Sequence, residues 1–211
     1  YDIICCPCNE CGILFITVGT DVEDSKKYWV GFNLVKGIGS ARLKALLDFF
    51  GDIERAWNAP ADVLRSTGLG AKQVNAVLEV RTSDKLNRTW EFILKRGITV
   101  INWEDGDYPR YLKEIPLPPP VLYMRGNLLE EDDWSVAVVG TRRITQYGRQ
   151  AANEIAGMLA RNRVTVVSGL ARGVDSAAHQ ATLDNDGRTL AVKPHDHFRI
   201  EQYKHHSLQS R

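Results

Sequence analysis

Two short turns rich in glycine and arginine carry the residues best suited to chemistry in this chain. The first is Gly140-Thr141-Arg142-Arg143, and the second is Ser168-Gly169-Leu170-Ala171-Arg172-Gly173. Each turn follows a short apolar run rich in valine, which predicts a strand. Arginine stays charged and donates paired hydrogen bonds to phosphate, while glycine lets a ligand approach the backbone. The turns therefore predict an anion-binding groove for a nucleotide or a nucleic acid.

Either turn taken alone also has a purely structural interpretation. Strand-to-helix turns in parallel sheets often need glycine, and arginine is common on protein surfaces. A ligand is favoured because both turns place arginine beside glycine at the end of a strand. Open α/β sheets bind their ligands at that end of the strands, and free backbone N–H groups there attract anions.

The spacing of the glycines disfavours the common nucleotide sites. Gly140 does not begin the G-x-G-x-x-G pattern that brings backbone against a pyrophosphate, and the chain contains no G-x-x-x-x-G-K-[ST] loop. We therefore predict neither an NAD nor an ATP site, and no cofactor.

Three side chains close to the second turn could be assembled into a hydrolytic set: Ser168, Asp175 and His179. The alternative makes Asp175 a carboxylate of the first helical turn, His179 a helix-surface or packing residue, and Ser168 a turn hydroxyl. This alternative is the favoured one. We predict no catalytic residue and no enzymatic activity.

The elements that position the two turns alternate between strand and helix. Strands are predicted at 135–139, 164–167 and 189–192, with a helix after each turn. Right-handed crossovers would place both turns at one edge of a parallel sheet. The fold class is thus α/β, with a Rossmann-like, mostly parallel and incomplete sheet in a domain at 135–211. Apolar spacing on the first of these helices predicts a buried face formed by Tyr147, Ala151, Ile155, Met158 and Leu159.

The first half of the chain predicts a small all-helical domain at 26–97, because apolar residues recur there at helical spacing. This domain contains one pattern twice: residues 37–42 read GIGSAR and residues 68–73 read GLGAKQ. Such a turn between two helices is typical of a helix-hairpin-helix (SAM-like) domain, in which the middle residue is buried and the next helix offers free N–H groups. Contact with a DNA backbone and a role as a compact scaffold both stay open.

Two further segments flank these domains. Residues 98–134 are predicted to be an extended connector into the sheet domain, with a short strand signal at 99–103, because the consecutive prolines at 118–120 favour an extended chain. Residues 1–25 form a leader that holds all four cysteines between Cys5 and Cys11. Their C-x-x-C spacing allows a metal knuckle, but a structural zinc normally needs two separated pairs. We predict no metal site and a nonnative or poorly ordered leader.

The charge and hydropathy of the sequence limit the kinds of partner that this chain can bind. A formal net charge of +1 over 211 residues argues against a broad basic surface for duplex DNA. The charge is uneven, because seven arginines stand against four acidic residues between Val136 and Val192. No apolar run reaches the roughly 18 residues of a membrane span, so we predict a cytoplasmic protein without membrane contact.

Several motifs, in this order along the chain, resemble the DNA-processing protein A (DprA/Smf) family. They are VVGTRR at 138–143, Tyr147-Gly148, VSGLARGVDSAAH at 167–179 and GRTLAV at 187–192. The upstream Tyr108-Pro109 and PPVLY at 119–123 also match, as does the hairpin domain. The resemblance covers about residues 28–192.

The resemblance implies a function and a set of site residues. The function is to bind single-stranded DNA, to protect incoming strands in natural transformation and to load a RecA-type recombinase on them, without catalysis. Arg142 and Arg172 would be the principal cationic contacts, and the glycines would shape the pocket. The implied nucleic-acid-binding positions are Gly140, Thr141, Arg142, Arg143, Ser168, Gly169, Arg172 and Gly173.

The last part of the chain departs from the family pattern in two ways. After Val192 the chain lacks the family's Gly-containing turn and Tyr-Pro step, and it ends before the part of the sheet through which the family dimerises. We therefore expect a truncated domain, and homodimerisation stays open.

The rival function is that of a nucleotide-binding enzyme of the nucleoside monophosphate phosphoribohydrolase type, whose Pro-Gly-Gly-x-Gly-Thr turn is absent from this sequence. A decayed copy that folds poorly is a third alternative.

Overall fold

The computed structural model describes residues 21–193, with side chains from Ser25 onward. The cysteine run between Cys5 and Cys11 and the residues after Lys193 lie outside the described residues. The described residues divide into two compact units, and the boundary lies between Arg125 and Gly126. Within the described part, none of the helices has both the length and the apolar composition that crossing a membrane requires.

The first unit consists mainly of helices between residues 21 and 95. Their bounds are α1 Asp21–Asn33, α2 Ser40–Phe50, α3 Ile53–Asn58, α4 Ala61–Ser66, α5 Ala71–Thr82 and α6 Lys85–Lys95. Trp29 and Phe32 on α1 are fully buried, and Phe32 packs edge to face on Trp57 of α3 with ring centroids 5.1 Å apart. The helical region that the apolar spacing predicts is therefore confirmed.

The two Gly-x-Gly turns connect the helices that the hairpin pattern predicts. The first turn joins α1 to α2, and the second joins α4 to α5. Their middle residues, Ile38 and Leu69, are both buried in the core. The side chain of Gln73 lies beside both Gly37 and Gly70, so the two turns are neighbours in space.

The segment at 98–134 differs from the extended connector that the prolines predict. Strands β1, Thr99–Asn102, and β2, Val121–Met124, pair antiparallel with Thr99 opposite Met124, and the short helix α7, Arg110–Lys113, lies between them. Val100 and Ile101 are buried, and the Tyr108 hydroxyl donates to the Pro119 carbonyl at 2.8 Å. The two paired strands thus belong to the first unit, which ends at Arg125, and the prolines lie in the loop between the strands.

Between residues 126 and 193, the second unit contains a short 3-10 helix at Glu130–Asp133, a parallel three-stranded sheet and two α-helices. The strands are β3 Ser135–Ala137, β4 Thr165–Ser168 and β5 Thr189–Ala191, in the spatial order β3-β4-β5. Helix α8, Gln146–Arg161, connects β3 to β4, and helix α9, Val174–Leu183, connects β4 to β5. Val166 on β4 forms a buried cluster with Ala156 on α8 and Ala178 on α9. This strand-helix alternation brings the ends of β3 and β4 to one edge of the sheet.

Helix α8 buries a different face from the one that its large apolar residues predict. The buried residues are Ala152, Ala156, Gly157 and Ala160, whereas Tyr147, Ile155 and Met158 are exposed. The prediction was wrong because α8 packs closely against α9, and such close packing selects small side chains. Of the predicted face, Leu159 does pack against the core, and Ala151 is half-buried.

Candidate nucleic-acid interface

The two glycine-and-arginine turns are in direct contact at the carboxyl edge of the sheet. The Val174 N–H, at the start of α9, donates to the Thr141 carbonyl at 3.2 Å. A Cβ built on Gly173 would lie 2.8 Å from Arg142 Cα, and closer still to the Thr141 oxygen. Glycine is required at position 173 because the first turn lies directly against its backbone. The structure therefore brings together the predicted residues of both turns.

The first turn also packs against the helix that follows the second one. A Cβ built on Gly140 would lie 2.6 Å from Val174 Cγ2, which is closer than real side chains approach. Within the first turn, the Arg143 N–H donates to the Thr141 hydroxyl at 3.1 Å. Val174 was not among the predicted site residues, although its place directly after Gly173 makes it the first apolar residue available to pack there.

Ser168 ties three strands together at this edge. Its hydroxyl donates to the Val138 carbonyl at 2.6 Å, and its own carbonyl accepts from the Val192 N–H at 2.8 Å. The side chain is buried. This geometry agrees with a structural turn hydroxyl, because the hydroxyl proton is donated to a backbone carbonyl.

The His179 ring, on α9, hydrogen-bonds to the backbone of the second turn. The ring is buried, and its Nε2 lies 3.0 Å from the Gly169 carbonyl. Because a carbonyl only accepts, Nε2 carries the proton and donates. The Nδ1 atom lies 2.8 Å from the Thr189 hydroxyl on β5. Of the two places that the sequence left open for His179, helix surface or packing, the structure shows packing.

Asp175 lies on the same side of the second turn, in the first turn of α9. The side chain is buried, and a Cβ built on Gly169 would lie 2.7 Å from its Oδ2 atom. A carboxylate in the first turn of a helix is stabilised by the helix dipole. Asp175, His179 and Ser168 therefore surround the Gly169 backbone as supports.

The arginines of the two turns face solvent. Arg142, Arg143 and Arg172 are all exposed, and within residues 21–193 none of them forms an ion pair. Three guanidinium groups on two contacting turns form a cationic surface that can bind successive phosphates. Among the same residues, no three His, Cys, Asp or Glu side chains are grouped so as to hold a metal ion.

Replacing His179 tests whether it supports the second turn. We expect His179→Ala to lower the stability of the second unit by about 1–3 kcal/mol, because the Gly169 carbonyl and the Thr189 hydroxyl both lose a buried partner. Hydrogen exchange of amides in residues 126–193 measures this loss. Gln180→Ala is the matched control, because the exposed Gln180 side chain hydrogen-bonds to Asp184, the residue directly after α9. Equal protection in both variants would contradict the supporting role.

Comparison with known proteins finds relatives over most of the chain. The family model described as DNA recombination-mediator protein A matches residues 99–211. Protein Smf of Synechocystis sp. is 36% identical over 175 residues, which cover 81% of this chain and 44% of that protein. The DNA processing protein DprA of Bacillus subtilis is 34% identical over 137 residues, which cover 60% of this chain and 46% of that protein.

A solved structure is similar in fold to most of this chain. It is the X-ray structure of DNA processing protein A (DprA) from Streptococcus pneumoniae, which matches with a TM-score of 0.60 at 25% identity over 79% of this chain and 56% of that one. The predicted fold class, a helical region followed by a Rossmann-like sheet, is thereby confirmed. The chain spans a little under half the length of the two relatives from Synechocystis and Bacillus.

Proposed function

This chain belongs to the DNA recombination-mediator protein A family, and from that premise we propose that it binds single-stranded DNA. In natural transformation it would cover incoming strands and help to load a RecA-type recombinase on them. The relatives from Bacillus and Streptococcus are named for DNA processing, which agrees with a DNA ligand.

One observation supports this proposal above the others, namely the contact between the two turns. Gly173 lies against the Thr141–Arg142 backbone, so Arg142 and Arg172 stand on neighbouring segments of one edge. Both guanidinium groups are exposed. A chain of phosphates needs several such cations in a row, whereas a small nucleotide would need a pocket closed around its base and sugar.

We propose that the edge binds and does not catalyse. The Ser168 hydroxyl is engaged by Val138, and the His179 ring nitrogens lie against Gly169 and Thr189. A nucleophile and a general base would have to stand within hydrogen-bond reach of each other, and these two side chains have other partners.

The test is a salt-titrated binding assay with single-stranded and duplex oligonucleotides. We expect tighter binding of the single strand. Arg142→Ala and Arg172→Ala should each weaken it and reduce the slope of log K against log salt by roughly 0.7 per lost phosphate contact. Fluorescence anisotropy at several salt concentrations measures both quantities.

Arg163→Ala is the matched control for these variants. Arg163 is also exposed, but it lies two positions before β4 and so at the opposite, amino edge of the sheet. Its replacement should leave affinity and slope unchanged. The proposal fails if Arg142→Ala and Arg172→Ala both behave like Arg163→Ala. Release of free base from a nucleotide would instead favour the phosphoribohydrolase alternative.

A further inference from the structure

The exposed ring of Tyr147 stands at the edge of the sheet that carries the two turns. Tyr147 lies in the first turn of α8, and 81% of its surface is exposed. Its hydroxyl makes no hydrogen bond within residues 21–193. An exposed aromatic ring of this size, with neither packing nor polar partner, is available to a ligand.

The local backbone fixes Tyr147 in this exposed position. The Thr145 hydroxyl caps α8 by accepting from the Gly148 N–H at 3.0 Å. On a regular helix, Tyr147 points about 140° away from Ala152, the first residue of the buried face. The ring therefore cannot reach the core without unwinding the capped first turn.

Tyr147 is also close in the chain to the cationic turn. Tyr147 lies four positions after Arg143, a distance of at most about 14 Å even for an extended chain. Bases attached to phosphates at Arg142 and Arg143 would thus lie within reach of the ring. Unpaired bases stack on aromatic rings, whereas the bases of a duplex are already stacked within the helix.

Trp134, the other Phe, Trp or Tyr residue between positions 126 and 193, lies at the opposite, amino edge of the sheet. Trp134 is 73% exposed, and its carbonyl accepts from the Thr165 N–H at the beginning of β4. Six residues of largely extended chain, about 20 Å, lead from Trp134 to Gly140. Of these two rings, only Tyr147 is placed at the carboxyl edge.

We infer that Tyr147 is the base-stacking platform of this interface and the residue that makes it prefer single strands. The inference rests on the proposed function. The arginines bind phosphates, and phosphates are present in both single strands and duplexes, so the arginines alone do not distinguish the two. The ring supplies the discrimination, because only an unpaired base can leave its neighbours and lie against it.

The experiment compares an oligothymidylate strand with an abasic strand of the same length. Tyr147→Ala should weaken binding of the oligothymidylate about 5- to 100-fold, and should leave binding of the abasic strand and the salt slope unchanged. Tyr147→Phe, which keeps the ring, should bind like the unaltered protein. Trp134→Ala, which removes the ring at the other edge, should also bind like the unaltered protein.

The outcomes separate this inference from the proposed function. Suppose that the unaltered protein binds single strands and that Arg142→Ala weakens this binding, whereas Tyr147→Ala does not. The stacking inference is then wrong, and the proposed function stands. An equal loss on the abasic strand also overturns the inference, since no base is present to stack. If the unaltered protein binds neither strand, both the inference and the proposed function fail.

Discussion

Gly173→Ala is expected to lower the stability of the second unit by about 2–6 kcal/mol and to abolish the proposed DNA binding. The new Cβ would meet the Thr141 oxygen and Arg142 Cα, which are backbone atoms that cannot rotate away. Gly173 also has a φ of 98°, where a residue with a side chain is strained. Strain and overpacking contribute about 1–3 kcal/mol each. The two turns must separate, which breaks the Val174 to Thr141 hydrogen bond.

The control for Gly173→Ala isolates the clash from the backbone strain. Gly126 has a similar φ of 89°, but a Cβ built there meets no atom within 4 Å. Gly126→Ala should therefore show only the smaller strain and should bind DNA normally. Hydrogen exchange along the sheet and the oligonucleotide assay measure the two effects. Similar losses in both variants would mean that contact between the turns does not matter.

The second large effect is expected at an ion pair that joins the segment before β3 to the residue directly before β5. Asp132 is 7% exposed and Arg188 is 32% exposed, and Arg188 Nε donates to Asp132 Oδ1 at 2.5 Å. The same carboxylate accepts from the Thr165 hydroxyl at 3.0 Å and the Leu129 N–H at 2.8 Å. These four residues fasten the segment before β3 to β4 and β5.

Asp132→Asn should lower the stability of the second unit by about 2–4 kcal/mol. Arg188 would keep a partly buried charge without its counter-charge, and breaking a buried pair in this way is strongly destabilising. Hydrogen exchange of amides in β4 and β5 is the measurement. Asp184→Asn is the control, because Asp184 is exposed, follows the last residue of α9, and its carboxylate accepts from the Gln180 side chain one turn earlier.

The same carboxylate gives the second unit a dependence on pH. Burial raises the pKa of Asp132, but the hydrogen bonds from Arg188, Leu129 and Thr165 outweigh it and hold the pKa below its ordinary value. The folded state therefore binds the proton less well than the unfolded state. The contribution of the Asp132 carboxylate to stability is fully present above about pH 4 and is lost as the pH falls through the lowered pKa. Asp132→Asn should remove this part of the acid sensitivity, and an unchanged acid profile would contradict the assignment.

The edge of the sheet could be predicted from the sequence because its signals are local. Valine-rich runs before Gly140 and Gly169 specify strands, and the handedness of strand-helix-strand connections then places both turns at one edge. No tertiary information is needed for either step. The hairpin turns follow from local rules as well, since Gly-x-Gly between helices exposes the glycines and buries the middle residue.

The buried face of α8 and the segment at 99–124 could not be predicted in the same way. Large apolar residues are the usual mark of a core face, but close packing on α9 selects Ala152, Ala156 and Ala160 and leaves Tyr147 exposed. Prolines likewise indicate an extended chain, but they do not reveal that the strands on either side of them pair. Both outcomes depend on a second element that is distant in the sequence.

The sequence by itself determined which residues stand at the candidate interface, because glycine, arginine and strand ends leave short-range signals. The tertiary structure decided how those residues are supported and what they leave exposed. Gly169 meets His179 ten residues later, and Asp132 meets Arg188 across 56 positions. Such contacts have no period or motif, because they arise only when the packed helices and strands bring distant side chains together.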